Sequence, residues 1–441
     1  MNELRVYFHG LESSDPMFLG RLGYGRGDNY THFELNPEFL RLGIGLSPFH
    51  LKPETGLQAA SLRPFAGLHG LFADSLPDGW GRLLMDRTFR QRGMSLDAIT
   101  PLHRLAFIGS RAMGALSYVP NTEAGPSAAE LLDLPAIGLE ATRQYQGEAV
   151  EVLDEFVGHA APSGGARPKM LIGFSDAGDS IVTGAEDLPN GYSHWIAKFP
   201  TGNAPDDRSA GAVEYLFSKM ARRAGIRMAE TRLIPGQKDH AYFLTRRFDR
   251  LPGNRRLHVH SVAGLVHADF RVPDFDYLEL LKLSDFLTES HAEKVELFRR
   301  MVFNVVTGNR DDHTKNFAFL MQPNGRWVAS PAYDLTYNLG IRGYHSMTIE
   351  GKGRDFTRED CLALAHRVSI PRKSAIQIMQ EVSDAVSMWA EEARHYAIPK
   401  EQAAEIQEHI QGQCSQLLAV SAQLKSGAPA PVPEANEAPG C

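Results

Sequence analysis

The sequence predicts an α+β chain folded in two lobes, the first of mixed strands and helices and the second mainly helical. Three observations predict it. Short apolar runs separated by Gly-rich turns recur up to Arg250, among them Arg5–Phe8, Met170–Phe174 and Tyr192–Pro200. Patterns of helical period follow, as in Tyr277–Leu287 and His291–Thr307. Between those helices and a strand-like run lies Gly308–Leu320, reading G-N-R-D-D-H-T-K-N-F-A-F-L.

The composition sets bounds. At 441 residues, 43% apolar and 22% charged, the chain is long enough for two or three domains with sizeable cores. Its apolar runs fall far short of the roughly 20 residues of a membrane span. The N-terminus, Met-Asn-Glu-Leu-Arg-Val, lacks the basic-then-apolar layout of a secretory signal. Cys361, Cys414 and Cys441 have neither metal nor disulfide spacing, so a reducing cytoplasm is the expected home. A net charge of −7 argues against a general nucleic-acid binder, though not against a local basic patch.

Taken in order, Arg5–Phe8 and Leu40–Leu46 read as strands of a small N-terminal β-module, with Leu19–Asp28 a Gly-rich connection. Gly70–Gly81 leads into a helix that Asp74, Ser75 or Asp78 can cap. Arg82, Arg87, Arg90 and Arg92 along it are a solvated face more simply than an acidic-partner face. Pro126–Gly138 has the composition of a hinge, and Ala149–His159 reads as a short helix. Gly164 and Gly165 then let a turn approach a ligand closely ahead of the strand Met170–Phe174. The turn is not a Walker loop, and a plain hairpin is the simpler reading of it alone.

Lys198 stands on the apolar strand Tyr192–Pro200, where a cation needs a partner or an edge position. The next helix, capped by Asp206 or Asp207, carries Glu214 beside its stripe of Val213, Leu216, Phe217 and Met220. A Lys198–Glu214 ion pair is expected. Met228–Pro235 and Ala241–Phe248 read as strands, and Arg246, Arg247 and Arg250 either touch phosphate or pair with Asp249 and other carboxylates. Arg342–Arg358 reads as a mobile segment over the cleft. Glu359–His366, Lys373–Arg394 and Lys400–Leu424 read as helices, and the Pro/Ala-rich end from Gly427 as disordered.

Chemistry concentrates at Asp311, Asn316 and Asp334. Asp311 and Asn316 have the D-x-x-x-x-N interval of a phosphoryl-transfer loop. A hairpin around Asn324-Gly325 places Asn316 at one strand start and Asp334, in S-P-A-Y-D-L-T-Y, just past the other strand's end. Two oxygen ligands so placed suit Mg²⁺, which keeps phosphates and water for its other positions. His313 has no second histidine at metal spacing and reads as a structural residue bonding the loop backbone.

With these parts in order the chain resembles the HipA family of bacterial serine/threonine kinases, toxins of type II toxin–antitoxin pairs. The likeness runs from about Arg5 to Leu424. It rests on F-A-D-S-L-P-D-G-W-G-R-L-L at Phe72–Leu84, M-G-A-L at Met113–Leu116 and S-G-G-A-R-P-K at Ser163–Lys169. I-A-K-F-P at Ile196–Pro200, L-T-R-R-F-D-R at Leu244–Arg250 and the two catalytic stretches complete it. The resemblance implies a two-lobed kinase-like fold. Residues 1–125 would be the N-terminal β-module and its helices, 126–250 the kinase N-lobe, 251–426 the helical C-lobe and 427–441 the tail. It implies ATP and Mg²⁺, with Asp311 as catalytic base and Asn316 and Asp334 on the metal. Lys198, oriented by Glu214, would meet the nucleotide phosphates beneath Gly164 and Gly165. Ser163 would be the autophosphorylated serine, or else a turn residue. The implied partners are a protein substrate such as an aminoacyl-tRNA synthetase and a helix-turn-helix antitoxin of HipB type, with DNA reached only through the antitoxin and no membrane. D-x-H-x-x-N is also similar to the loop of phosphoinositide kinases, so a small-molecule or lipid kinase is one alternative. A non-catalytic co-repressor is another.

Overall fold

The computed structural model describes residues 1–11, 15–122, 129–148, 165–184, 186–237 and 240–419. The expected helix Ala149–His159, Ser163, Gly164 and the C-terminal tail lie outside them.

Five antiparallel strands form the first sheet: β1 (Glu3–Phe8), β2 (Met17–Tyr24), β3 (Thr31–Leu35), β4 (Leu57–Ala59) and β5 (Leu116–Val119), in the order β4-β3-β2-β1-β5. Leu4, Val6 and Phe8 alternate into its core, as a strand with one covered face requires. Two expectations fail here. The Gly-rich Leu19–Asp28 is not a connection, because most of it lies in the central strand β2. A Cβ at Gly20 would fall 2.2 Å from the Glu34 carbonyl oxygen, so glycine serves close strand packing there. Conversely, Leu40 ends a short helix (Pro37–Leu40) and the chain from there to Leu46 is irregular, with Gly43 at φ +66°. Two helices, α1 (Gly79–Gln91) and α2 (Pro101–Ile108), complete this module, and their Met85, Phe89, Leu105 and Phe107 enter the core with Val6 and Phe33. Arg82, Arg90 and Arg92 are exposed and Arg87 bonds the Gln144 carbonyl, so the row of arginines is a solvated face.

The expected hinge Pro126–Gly138 overlaps a helix, α3 (Leu134–Tyr145), begun by Asp133 accepting the Ala136 N–H and by Pro135 in the first turn. Gly138 is interior to it because the Tyr242 ring leaves no room for a side chain. The second sheet has the order β7-β6-β8-β10-β9. Its strands are β6 (Lys169–Ser175), β7 (Ile181–Thr183), β8 (Tyr192–Lys198), β9 (Thr231–Pro235) and β10 (Ala241–Arg246). Trp80 of α1 joins Met170, Trp195, Ala197 and Tyr242 in its core, so one helix serves two cores. Helix α4 (Pro205–Arg223) crosses the other face, with Gly211 packed on the Ala241 carbonyl. Ala204 occupies its cap; Asp206 and Asp207 sit in the first turn instead, where they face the positive end of the dipole.

The remaining strands are β11 (His258–Ser261), β12 (Phe275–Asp276), β13 (Ala318–Met321), β14 (Trp327–Ala329) and β15 (Met347–Thr348). β11, β13 and β14 form one sheet, and β12 pairs in parallel with β15. Helices α5 (Val262–Val266), α6 (Tyr277–Thr288), α7 (His291–Thr307), α8 (Arg358–Arg367), α9 (Arg372–Val386) and α10 (Lys400–Leu418) surround the largest core. The long helix expected over Lys373–Arg394 stops at Val386 and resumes as a short turn at Trp389. Arg342–Arg358 is fastened rather than draped over a cleft. Buried Asp312 accepts the Ser346 N–H at 2.8 Å and pairs with His345 Nδ1 at 2.9 Å, while Thr348 donates to Asp276 at 2.7 Å. Asp312 also accepts the Tyr277 hydroxyl at 2.6 Å.

Arg247 and Arg250 are buried joints between module and sheet. Both donate to Asp249, at 2.7 and 2.6 Å, and to the Ala112 carbonyl, and Asp249 also accepts the Gly114 N–H at 2.7 Å. Arg246 instead faces Glu230. Asp249→Ala would strand two buried guanidinium groups. A loss of about 3–5 kcal/mol is expected. A urea midpoint like wild type would contradict this account.

Candidate active site

Where the three cores meet, a cleft encloses about 960 Å³, mouth included. The second sheet contributes Lys169, Ile196, Lys198 and Thr245 to it. The C-lobe contributes His313, Lys315, Asn316, Tyr333 and Asp334. The N-terminal module contributes Asp74, Leu76, Asp78 and Met113. The floor holds the expected ion pair: Lys198 Nζ lies 2.6 Å from Glu214 Oε1, and it also donates to Asp334. The local sequence explains the meeting. Lys198 ends the apolar strand β8, Glu214 lies on the α4 face that packs inward, and Asp334 follows β14 in a turn with φ +52°, which an aspartate tolerates.

Burial opposes the charge on Lys198, but Asp334 and Glu214 outweigh it and raise its pKa above the ordinary lysine value. Burial likewise opposes charge on Asp334, and Lys198 with Lys169 outweighs it, holding that carboxyl down at about 2. Lys169 sits opposite Lys198 in the β6–β8 register, and its pKa is lowered by burial and by Lys198, against the pull of Asp334.

Asp311 lies at the rim, half exposed, and does not line the cleft. Its pKa is raised, first by burial and further by Asp334 and Asp312, with His313 opposing. Asn316 stands in a turn just before β13, and its Nδ2 donates to the Asp311 carbonyl at 2.7 Å. That leaves Oδ1 as the acceptor end of the amide. An amide oxygen and an ionised carboxylate in one cleft are hard donors that fit Mg²⁺. Among the described residues no group of three or more His, Cys, Asp or Glu forms a metal cluster. His313 accepts the Lys315 N–H at 3.2 Å, the backbone role expected of it. Gly165 reaches the cleft with φ +101°, and a Cβ there would fall 2.7 Å from Lys169 Nζ.

Sequence reasoning gave Asp74 and Asp78 only a helix-capping role and Lys169 and Lys315 no role, though all four line the cleft. Each stands inside a motif already singled out, but only the folded chain brings those motifs to one place. Asp74 accepts the Ser261 N–H and hydroxyl at 2.7 and 2.6 Å, joining the N-terminal module to the start of α5.

The Asp334 carboxyl ionises more readily folded than unfolded, where about 3.9 is usual. Its contribution to stability is therefore complete above that value and lost as pH falls toward about 2. The difference in urea midpoint between wild type and Asp334→Asn is expected to shrink as pH drops below 4. A difference independent of pH would show that the carboxylate is not held by charge.

A model of the HipA-like C-terminal domain matches residues 161–390, and one of the HipA N-terminal domain matches residues 14–119. A Haemophilus influenzae protein is 25% identical over 134 residues, covering 27% of this chain and 39% of the relative. Y4dM of Sinorhizobium fredii is 26% identical over 237 residues, covering 49% and 56%. Both are named provisionally as kinases, and the chain spans only these parts of their length. Among solved structures, the Shewanella oneidensis toxin–antitoxin complex of HipA, HipB and operator DNA includes a chain of the same fold. It matches with a TM-score of 0.67 and 18% identity over 94% of this chain and 97% of that one. Matched by both domain models in order, and over more than half its length by the C-terminal one alone, the chain belongs to the HipA family.

Proposed function

We propose that the cleft transfers the γ-phosphoryl group of ATP to a serine or threonine hydroxyl of a protein. The observation that carries this reading is the Lys198 ammonium held between Glu214 and Asp334 on the cleft floor. Phosphoryl transfer asks a protein mainly to position groups and stabilise charge. Lys198 meets the anionic phosphates, and Glu214 keeps its ammonium aimed. Asn316 and Asp334 would hold Mg²⁺, which when bound neutralises charge on the phosphates. Asp311 orients the acceptor hydroxyl and takes its proton; its raised pKa makes it a better base than an ordinary aspartate. Gly165 covers the phosphates.

By the same reading the chain is the kinase of a toxin–antitoxin pair in the cytoplasm, with residues 1–125 facing an antitoxin of HipB type and DNA reached through it. The Shewanella assembly, whose chain shares this fold end to end, supports that arrangement. Among the described residues no helix is long and apolar enough to cross a membrane.

Labelled ATP incubated with lysate tests the reaction. Asp311→Ala is expected to lower label transfer about a hundredfold or more with a melting temperature near wild type, and Asp334→Asn to lower it as much at a temperature where the variant is still folded. Undiminished transfer by either variant would remove that residue from the chemistry. Ser163 supplies a second test. A phosphate on Ser163, two residues before Gly165 in sequence, would add roughly −1.5 to −2 charges and by this reading would oppose ATP binding. Intact-mass and peptide spectra should find it in wild type and not in Asp311→Ala. Finding it in both would point to another kinase, and finding it in neither would leave Ser163 a turn residue.

A further inference from the structure

Asp78 occupies the cap position of α1, yet its side chain makes no bond to that helix. A carboxylate in this position ordinarily bonds the second or third N–H of its own helix and stabilises it. Here Oδ1 accepts the Gly165 N–H, and Oδ2 lies 3.3 Å from Lys315 Nζ. The contact with Gly165 is backbone-deep. Gly79 has φ +46°, and a Cβ on it would fall 2.5 Å from the Gly165 carbonyl oxygen. Trp80 donates its N–H to that same oxygen at 3.4 Å and its indole N–H to the Lys169 carbonyl at 3.1 Å.

Lys315 is held from other sides as well. Its ammonium lies 4.6 Å from the centre of the Phe270 ring, and its carbonyl accepts the Tyr333 hydroxyl at 2.7 Å. It precedes Asn316 directly in the loop begun by Asp311. Asp78 and Lys315 are mostly buried, with side chains 22% and 15% exposed, so the pair is not a freely solvated surface contact. One carboxylate of the N-terminal module thus joins the end of the Gly-rich loop to the Asp311–Asn316 loop. A helix cap has been given up for that junction.

We propose that Asp78 is a positioning residue that holds Lys315 and the Gly165 end of the loop in register across the nucleotide phosphates. This rests on the phosphoryl-transfer reading of the cleft. It makes the N-terminal module part of the site's geometry, beyond any role in binding a partner. Asp78 acts through Lys315 by charge and through Gly165 by accepting an N–H, and one substitution separates the two. Asparagine keeps an oxygen for Gly165 and loses the charge that holds Lys315.

The test uses the full-length chain as wild type, Asp78→Asn, Asp78→Ala, Lys315→Ala and the double variant Asp78→Asn/Lys315→Ala. Calorimetry with ATP and Mg²⁺, thermal unfolding, and initial rates of label transfer over a range of ATP concentrations are measured on each. Asp78→Asn is expected to lower kcat about tenfold, with KM for ATP changed less than about threefold and melting near wild type. Asp78→Ala, which also releases Gly165, should raise KM for ATP in addition. The double variant should be slower than Lys315→Ala by much less than the roughly tenfold cost of Asp78→Asn alone, because the two residues share one interaction. Independent, multiplying effects of the two substitutions, or wild-type kcat in Asp78→Asn, would overturn the assignment while leaving the reading of the cleft intact. A wild-type chain that neither binds ATP nor transfers label would overturn the reading of the cleft itself, and the assignment with it.

Discussion

The structure depends most on one constraint, that the charge of Lys198 is buried and must be answered. An ammonium on the inner end of β8 is costly without anionic partners, and losing one partner of a buried pair typically costs about 3–5 kcal/mol. Glu214 and Asp334 answer it from different bodies of the molecule, one on α4 behind the sheet and one on the turn after β14. The two lobes therefore share a charge. The sheet and the C-lobe are held at the distance that lets Asp334 reach across, and that distance fixes the width of the cleft between them.

Other buried charges act as joints in the same way. Asp249 gathers Arg247, Arg250 and the Gly114 N–H, locking the M-G-A-L turn of the N-terminal module to the strand end beside the cleft. Asp312 gathers Tyr277, His345 and Ser346, fastening the loop of Asp311 to the segment after Asp334. Hydrophobic burial is non-directional and would permit small rotations of one core against the next. Carboxylates with several donors at hydrogen-bond distance are directional, and they sit at the seams where orientation matters.

Much of this was legible in the residues. The helix His291–Thr307 is observed with the bounds its broad apolar face predicted, and the Lys198–Glu214 pair followed from a cation on an apolar strand ahead of an amphipathic helix. Two of the misreadings share a cause. Glycine reads as punctuation at Leu19–Asp28 and Pro126–Gly138, where it instead makes room for the Glu34 carbonyl and the Tyr242 ring. Those neighbours are distant in sequence, so a single chain read locally cannot show them. Asp312 was hidden beside Asp311 for a related reason: two adjacent carboxylates look alike, and only burial separates the one with four backbone and side-chain donors from the one at the rim.

The same logic bears on why the site lies where it does. The three larger hydrophobic cores meet through a few side chains, such as Met113 of the N-terminal module against Leu171 and Ile196 of the second sheet, and the rest of their junction is open or polar. A cleft at that junction gathers groups from all three bodies without disturbing any core, and its walls can be tuned by single side chains at the ends of elements. Lys198 at a strand end, Asn316 and Asp334 in turns, and Asp78 at a helix start all occupy such positions. Residues there are held by their neighbours' packing yet contribute little packing of their own. Charge, hydrogen bonding and reach therefore decide which side chain stands at each of these positions, and together they set the geometry of the cleft.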